Sequence, residues 1–258
     1  MKISKIIIYK EQSVPEINLE KIKEFIFRIF EIQIEVRDNI FNKLDKNTAV
    51  KITNTRIFNL KKSFQKHIPT TEEISIELEN QDTSNREEMT LYDGIELNDI
   101  VRELIPNSEH NQNTLHIIFT NKLTCTFDEN DFRYHARMWT GSNPTIISTT
   151  GIIEAPAKPK QYYMDIMTNI SKKPIEEIRK IYKGEFLEYH DSRLQEIVEG
   201  CLLQVIFYNE TGDVFCDDVQ CRLFNAHWQK DLFISQIENK KICEKHEKIL
   251  SKMKNNIL

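Results

Sequence analysis

The stretch that decides the fold is residues 200–229, GCLLQVIFYNETGDVFCDDVQCRLFNAHWQ. It begins with apolar residues at helical spacing and continues into a loop that contains Cys216, Cys221 and His227. The apolar pattern extends upstream and predicts a long, mostly buried helix over residues 191–208. No other part of the chain is so dense in soft metal-ligand residues. We therefore expect a buried helix to support a loop that carries the chemistry of the protein.

The spacing Cys216-x4-Cys221-x5-His227 favours a zinc site. Thiolates and imidazoles are the ligands that Zn²⁺ prefers, and a closed structural site takes four of them. A fourth ligand would come from elsewhere in the chain, and the candidates by residue type are Cys125, His135, Cys201, Cys243 and His246. One alternative stays open, in which both cysteines are small buried thiols and His227 caps a helix or packs in the core.

The composition predicts a soluble globular protein. Apolar residues make up 40% and charged residues 29% of the 258 residues, which is enough for a hydrophobic core. The formal net charge of -5 does not favour a nucleic-acid partner. No apolar run has the length of a membrane span and the first residues do not resemble a signal peptide, so we expect no membrane partner and a cytoplasmic location. In a reducing compartment the 5 cysteines are expected to be free thiols or metal ligands.

Upstream of the deciding stretch, the pattern predicts an α/β fold with a mixed, mainly parallel sheet flanked by helices. Residues 3–9 and 32–36 have strand patterns, and residues 13–30 between them carry a helical apolar stripe. Such a β-α-β unit implies a parallel strand pair with a right-handed crossover. Residues 115–120 and 123–127 are strands with a short polar link, which predicts a hairpin.

The other elements are predicted from similar signals. Residues 144–149 predict a further strand. Residues 151–160 predict an extended segment, because Pro156 and Pro159 disfavour a helix. Residues 228–253 predict one charged amphipathic helix at the carboxyl end.

The chain shows no internal repeat and no clean linker, so it predicts a single domain over residues 1–258. An amino-terminal β-α-β part would cover residues 1–110, and the part that carries the motifs would cover residues 111–258. The polar run at 79–88 predicts an exposed loop.

A second group of candidate residues lies in FRYHARMW, residues 132–139. In a strand, Arg133, His135 and Arg137 share one face, and bidentate arginine contacts there would bind a carboxylate or a peptide end. The alternative is an edge strand with a solvated basic face. In the next segment Glu154 is the carboxylate available as a general base, so His135 and Glu154 form the candidate pair of an unrelated hydrolase. A plain turn is the alternative for Glu154.

Residues 132–163 and 207–229 together resemble an archaeal family labelled as metallopeptidases. The opening stretch ISKIIIYKEQSVPEINLEKIKEF, residues 3–25, fits the same family. The family is similar to the archaemetzincins, which are metzincin-like zinc peptidases. The resemblance implies a metzincin-like fold, a zinc cofactor and a peptide or protein partner, with the helix at 191–208 in the place of the active-site helix.

The resemblance assigns roles to particular positions. Gly212 stands at the glycine that ends the active-site helix, and Leu223 stands at the methionine of the Met-turn. Cys216 and Cys221 stand at a cysteine pair of the family's structural zinc, for which His227 or Cys243 would complete the ligand set.

The same resemblance also exposes departures from the family pattern. The three positions of the zinc-binding histidines are Val205, Asn209 and Phe215, and the position of the catalytic glutamate is Ile206. The sequence contains no His-Glu-x-x-His motif. The resemblance therefore implies a metallopeptidase-like protein without the usual catalytic zinc site, a pseudoenzyme that keeps a structural zinc. The alternative is a non-catalytic scaffold that binds a peptide or protein.

Overall fold

The computed structural model describes residues 1–63, 65, 67–81, 89–169 and 174–255. The chain divides into two compact units, Met1–Ile152 and Ile153–Leu258. Residues 82–88 of the predicted polar loop lie outside the described residues.

The first unit contains two sheets and their covering helices. In chain order its elements are β1 (Lys5–Tyr9), α1 (Leu19–Phe30), β2 (Gln33–Arg37), α2 (Lys46–Asn54), α3 (Thr71–Leu78), β3 (Leu91–Asp93), α4 (Gly94–Leu104), a 3₁₀ turn (Asn107–Glu109), β4 (Thr114–Thr120), β5 (Leu123–Asp128), β6 (Arg133–Ala136), β7 (Trp139–Thr140) and β8 (Thr145–Ser148). The larger sheet has the order β2-β1-β4-β8-β7, and the smaller has the order β3-β5-β6. In the larger sheet only the β7–β8 pair is antiparallel. The predicted fold class, α/β with a mixed, mainly parallel sheet, is confirmed.

The opening β-α-β unit is present as the sequence predicts. β1 pairs in parallel with β2, and α1 connects them. The helix begins at Leu19, later than predicted, because the side chain of Asn18 caps it by accepting a hydrogen bond from the Lys21 backbone N–H. Its apolar stripe, which includes Phe25 and Phe30, is buried. This unit therefore supplies one edge of the larger sheet.

The predicted hairpin between residues 115–120 and 123–127 is wrong. β4 pairs with β1 and β8, whereas β5 pairs with β3 and β6, so the two strands belong to different sheets. The two linking residues are buried rather than exposed in a turn. Asn121 donates to the Ser13 hydroxyl, and the Lys122 ammonium donates to Glu77. The link therefore carries the chain from one sheet to the other.

A buried charged cluster lies beneath this link. The Glu77 carboxylate accepts hydrogen bonds from Lys122 Nζ at 2.7 Å, from Arg56 at 2.6 Å and from the Tyr92 hydroxyl at 2.8 Å. Lys122 also lies over the rings of Phe41 and Tyr92. Burial by itself would raise the pKa of Glu77, but attraction and hydrogen bonding to Lys122 and Arg56 outweigh it and hold the pKa below its ordinary value.

The predicted extended segment at 151–160 is partly wrong, because helix α5 (Thr149–Glu154) includes its first residues. A proline disrupts a helix that contains it and restricts the residue before it. Pro156 lies two residues beyond Glu154, so it is compatible with a helix that ends there. The extended part is short, and Ala157 within it pairs in parallel with Trp228. Pro159 then stands at the N-cap of the next helix, where its fixed φ is compatible with helix entry.

The second unit is mainly helical. Its elements are α6 (Lys160–Met167), α7 (Ile175–Ile181), α8 (Leu194–Thr211), α9 (Gln229–Phe233), a π-helical segment (Ile234–Asn239) and α10 (Glu244–Lys254). The long helix α8 is largely buried, as its apolar pattern predicts. It runs three residues later than the predicted 191–208, because Asp191 accepts the backbone N–H of Arg193 in a turn before the helix. It ends at Gly212, whose φ of 81° is the left-handed conformation that favours glycine.

The single helix predicted for residues 228–253 is wrong. The chain forms α9, the π-helical segment and α10 in its place. Lys240 has a φ of 53°, which ends the first helical part. Cys243 is the N-cap residue of α10 in an extended conformation. The break gives α10 its own start at Cys243. Among the described residues, no helix has the length and apolarity needed to cross a membrane.

Candidate metal centre

Four ligand-type side chains meet in the second unit. Cys216, Cys221, Cys243 and His246 place one sulfur or nitrogen atom each within 4.8 Å of all the others. Cys221 and His246 are buried, Cys216 is 7% exposed, and Cys243 is half-buried. The four thus form a small, closed group of soft donors.

Two of three measured donor separations are close to those around a tetrahedral zinc ion. With Zn–S bonds near 2.3 Å and a Zn–N bond near 2.0 Å, a tetrahedron separates two sulfurs by about 3.8 Å and a sulfur from a nitrogen by about 3.5 Å. The sulfurs of Cys216 and Cys243 are 3.8 Å apart, and the Cys221 sulfur is 3.7 Å from His246 Nδ1. The Cys243 sulfur lies 3.1 Å from the same nitrogen, which is closer than the sulfur–nitrogen separation in an ideal tetrahedral site. The donor types are those that Zn²⁺ prefers, and two of the separations are close to its tetrahedral geometry.

The loop that carries the first two cysteines is closed by backbone hydrogen bonds. The Cys216 N–H donates to Leu223 O at 2.9 Å, and the Phe224 N–H donates to Cys221 O at 2.9 Å. Helix α8 holds this loop from below, because the buried Gln204 side chain donates to Phe224 O. The buried helix predicted from the sequence thus supports the loop, as expected.

Arg222 joins the loop to the segment that precedes Cys243. Its guanidinium is buried and donates to Glu196 O of α8 at 2.8 Å. Its backbone N–H donates to Lys241 O, and its own carbonyl accepts from the side chain of Gln236. These contacts hold Cys221 close to the segment that leads into Cys243 and His246.

Backbone N–H groups point at two of the sulfurs. Asp218 N–H donates to the Cys216 sulfur at 3.4 Å, and Cys243 N–H donates to the Cys221 sulfur at 3.3 Å. Such bonds stabilise thiolates, and an oriented second shell of this kind is usual around protein metal sites.

The titration behaviour of the ligands differs with their surroundings. Burial raises the pKa of the Cys221 thiol to about 12. Burial also opposes ionisation of Cys243, but the N–H groups at the start of α10 and the neighbouring thiols outweigh it and lower the pKa of Cys243. Burial lowers the pKa of His246, which favours the neutral imidazole that a metal needs.

His227, the third ligand predicted from the sequence, lies outside this cluster. Its side chain is exposed, and its backbone carbonyl accepts the N–H of Ala157 at 2.7 Å. The second ligand pair was visible in the sequence only as residue types. The signal that indicates it is the spacing Cys243-x2-His246 at the start of a helix, which brings two donors onto one turn.

The positions that the resemblance equates with catalytic ligands carry none of the side chains that usually bind zinc. Val205 and Ile206 are fully buried in α8. Asn209 donates its side-chain amide to Val205 O, and Phe215 is 41% exposed. Leu223, at the Met-turn position, is buried beside the cysteines.

In the first unit, the predicted basic face is only partly formed. Arg133 is exposed on β6, whereas Arg137 donates to the Thr126 hydroxyl at 2.6 Å. His135 Nε2 lies 2.8 Å from a carboxylate oxygen of Asp131. A peptide contact by these residues stays a prediction.

Asp131, His135 and Asp128 also lie close enough to share an ion. The contacts of a polar turn account for much of this arrangement, since Asp128 accepts the N–H of Asn130 at 2.9 Å. In the second unit, Glu154 is half-buried and pairs with Lys158 Nζ at 3.0 Å. The catalytic roles predicted for His135 and Glu154 stay predictions.

The fold and the cysteine-rich centre define an α/β protein with a candidate zinc-binding module. A sequence profile described as "Probable metallopeptidase family (DUF6775)" matches residues 2–253, and the chain belongs to this family. The sequence-based assignment to a family labelled as metallopeptidases is confirmed.

Two solved structures are similar along most of the chain. An archaemetzincin from Methanopyrus kandleri is 10% identical with a TM-score of 0.46, covering 98% of this chain and 96% of that chain. A zinc-dependent peptidase from Methanocorpusculum labreanum (strain Z) is 10% identical with a TM-score of 0.43, covering 95% of this chain and 98% of that chain. No curated protein matches the chain.

Proposed function

We propose that this member of the metallopeptidase family binds one Zn²⁺ at Cys216, Cys221, Cys243 and His246, and that the ion has a structural role. The observation that carries the proposal is the meeting of four soft donors within 4.8 Å of one another, with two separations close to the tetrahedral values, beside a loop that backbone hydrogen bonds already shape. Four protein ligands complete the coordination of zinc and leave no open position for water or substrate. When bound, such an ion supplies a cross-link rather than a Lewis acid.

The cross-link would join two parts of the second unit. Cys216 and Cys221 lie on the loop after α8, and Cys243 and His246 lie at the start of α10. Three thiols held within 4.8 Å of one another repel when ionised, so a divalent cation between them relieves that repulsion. The chain's own residues hold the ligands in position, and the metal would fix the carboxyl-terminal helix to the loop.

We further propose that the chain lacks peptidase chemistry of the His-Glu-x-x-His type. The apolar Val205 and Ile206 and the exposed ring of Phe215 support this, since none of them can ligate zinc or move a proton. A non-catalytic protein that binds peptides or proteins is the corresponding physiological role.

Metal content of ligand variants tests the zinc site. Wild-type protein purified without added metal is expected to contain one zinc per chain by plasma mass spectrometry, and Co²⁺ exchange should give the intense visible bands of a tetrahedral thiolate site. Cys243→Ser and His246→Ala should lose the metal. His227→Ala is the matched control and should retain it. Metal-free wild-type protein that also fails to take up zinc, or zinc retained by both ligand variants, would contradict the site.

A peptidase assay separates a structural from a catalytic role. Zinc-loaded protein incubated with a mixture of unfolded polypeptides is expected to give no cleavage that a chelator abolishes. Chelator-sensitive cleavage at a rate above buffer, reproduced in preparations of independent origin, would refute the proposed loss of peptidase chemistry while leaving the zinc site intact.

A further inference from the structure

A second cavity of the carboxyl-terminal unit is separate from the cysteine cluster. It encloses about 520 Å³ and has an apolar wall formed by Trp228, Phe233, Ala157 and Pro159. That volume lies in the range of pockets that hold small ligands or single side chains of a partner. Trp228 is 45% exposed, so much of its ring faces solvent rather than the core. A half-exposed tryptophan at a concave site is a typical anchor for a ligand.

One wall of this cavity is fixed by the buried side chain of Gln229. Its amide donates to Ile153 O at 3.0 Å and its carbonyl accepts the Leu187 N–H at 3.1 Å. Its backbone N–H donates to Ala157 O at 2.9 Å, which pairs the strand-like segment at Ala157 with Trp228. Three separate segments are therefore held together behind the indole ring, and the wall is preorganised.

Arg193 fixes the part of the lining formed by Phe233 and Glu185. Its guanidinium lies 4.4 Å from the centre of the Phe233 ring, and it donates to the carbonyls of Gly184 and Phe186 at 2.9 and 3.0 Å. Glu185 lies between those two carbonyls in sequence. Arg193 thus holds the Glu185 segment and Phe233 at a set separation, so the cavity does not depend on a ligand for its shape.

The charged residues that line the cavity are mostly acidic. Glu185, Asp231 and Glu238 contribute carboxylates, and Lys230 contributes the one cation. Within the described part of the chain, none of the three carboxylates has an ion pair or a side-chain hydrogen bond. The guanidinium of Arg193, close to the cavity, is paired with Asp191. The cavity therefore offers negative charge and an aromatic face together.

We propose that this cavity binds an arginine side chain of a peptide or protein partner. A guanidinium is planar, stacks on an indole ring and donates bidentate hydrogen bonds to carboxylates. The methylene stem of the same side chain would lie along the apolar wall of Ala157 and Pro159. An inorganic cation would make no use of that wall, and an anionic ligand would face three carboxylates. The proposal does not depend on the zinc site.

Calorimetric titration with a pair of peptides tests the proposal on the unaltered protein. The probe is a short alanine peptide with a central arginine, acetylated and amidated, and its twin carries citrulline, which keeps the shape and removes the charge. We expect the arginine peptide to bind at least about tenfold more tightly than the citrulline twin, and binding to weaken as salt is raised.

Substitutions of the lining residues test whether the peptide binds in the cavity. We expect the affinity for the arginine peptide to fall by about tenfold in the double variant Glu185→Gln, Glu238→Gln, and by about tenfold in Trp228→Ala. Glu24→Gln, an exposed glutamate of the first unit, is the matched control and should bind as the wild type does. A lysine peptide that binds as tightly as the arginine peptide would refute the preference for a planar cation.

Equal affinity for the arginine and citrulline peptides, unchanged binding by the double variant, or no heat of binding up to about 5 mM peptide would overturn the proposal. Zinc content measured on the same samples keeps the two hypotheses apart. Loss of peptide binding with zinc retained is expected for the cavity variants, whereas a ligand variant such as His246→Ala should lose zinc and keep its affinity for the arginine peptide.

Discussion

Removal of the metal should lower the stability of the protein by a calculable amount. A bound ion would tie the loop at Cys216 and Cys221 to the helix start at Cys243 and His246. The inner ligands, Cys221 and Cys243, are about 22 positions apart, and closing a loop of that length removes about 3 kcal/mol of conformational freedom from the unfolded chain. The arrangement of the ligands in the folded chain is already supported by backbone bonds, so little of this gain is spent on distortion.

Differential scanning calorimetry of zinc-loaded and chelated protein measures this effect. For a chain of this size, 1 kcal/mol corresponds to a shift of about 2–4 °C in the melting temperature, so chelation should lower it by about 6–12 °C. His246→Ala should melt near the chelated wild type and should respond little to added zinc. If the two units melt separately, the shift belongs to the transition of residues 153–258.

His227→Ala provides the control for this experiment, because its exposed side chain lies outside the ligand cluster. It should melt as the wild type does and show the same loss on chelation. Identical melting of zinc-loaded and chelated wild-type protein would refute the cross-link, and a His227→Ala variant that behaves as though metal-free would show that the wrong histidine has been assigned.

Two further predictions concern other buried groups. Lys122→Met should destabilise the protein by about 3–5 kcal/mol at neutral pH, because it leaves the Glu77 carboxylate buried with fewer partners. The pKa of Glu77 is held below its ordinary value, so this contribution to stability is present above the unfolded pKa of about 4.3 and is lost as the pH falls through the folded pKa. Urea unfolding of both proteins across acid pH should show that the difference between their free energies of unfolding becomes smaller. A difference that stays constant with pH would contradict the charged pair. Diamide should oxidise the chelated protein to a Cys216–Cys243 disulfide, because these sulfurs are 3.8 Å apart, and bound zinc should prevent this oxidation. Peptide mass mapping identifies the disulfide-bonded pair. Equal oxidation with and without zinc would argue against a metal ion at these thiols.

Much of the candidate site was visible in the sequence. The density of soft ligands at Cys216 and Cys221 and the apolar stripe of α8 are local patterns. The two cysteines lie in one ligand-type cluster, and α8 forms three residues later than predicted. Proximity in sequence favours His227 as the histidine ligand, because it is six residues from Cys221. In the folded chain the His227 imidazole does not reach the cysteines, because the His227 backbone is hydrogen-bonded to Ala157, outside the cysteine loop.

The errors in the fold have a similar cause. Asn121 and Lys122 have the composition of a turn, and a turn between two apolar strands predicts a hairpin. Their side chains instead bind groups that are distant in sequence, Ser13 and Glu77, so burial rather than turn chemistry decides the path of the chain. The single carboxyl-terminal helix failed in the same way, because its charged pattern does not reveal the left-handed Lys240 that interrupts it.

The sequence by itself determined what depends on neighbours along the chain: the β-α-β opening, the buried helix α8 with its glycine stop, the cysteine loop and the absence of a His-Glu-x-x-His motif. Only the tertiary structure decided which strands share a sheet and which histidine meets the cysteines. Helical and strand periodicity are set by contacts a few residues apart. The meeting of Cys221 with His246 requires closing a loop whose entropic cost rises only slowly with length, so that cost discriminates weakly among alternative partners. The choice among those partners is made by packing, here by Arg222 and Gln236, which hold the two ligand pairs together.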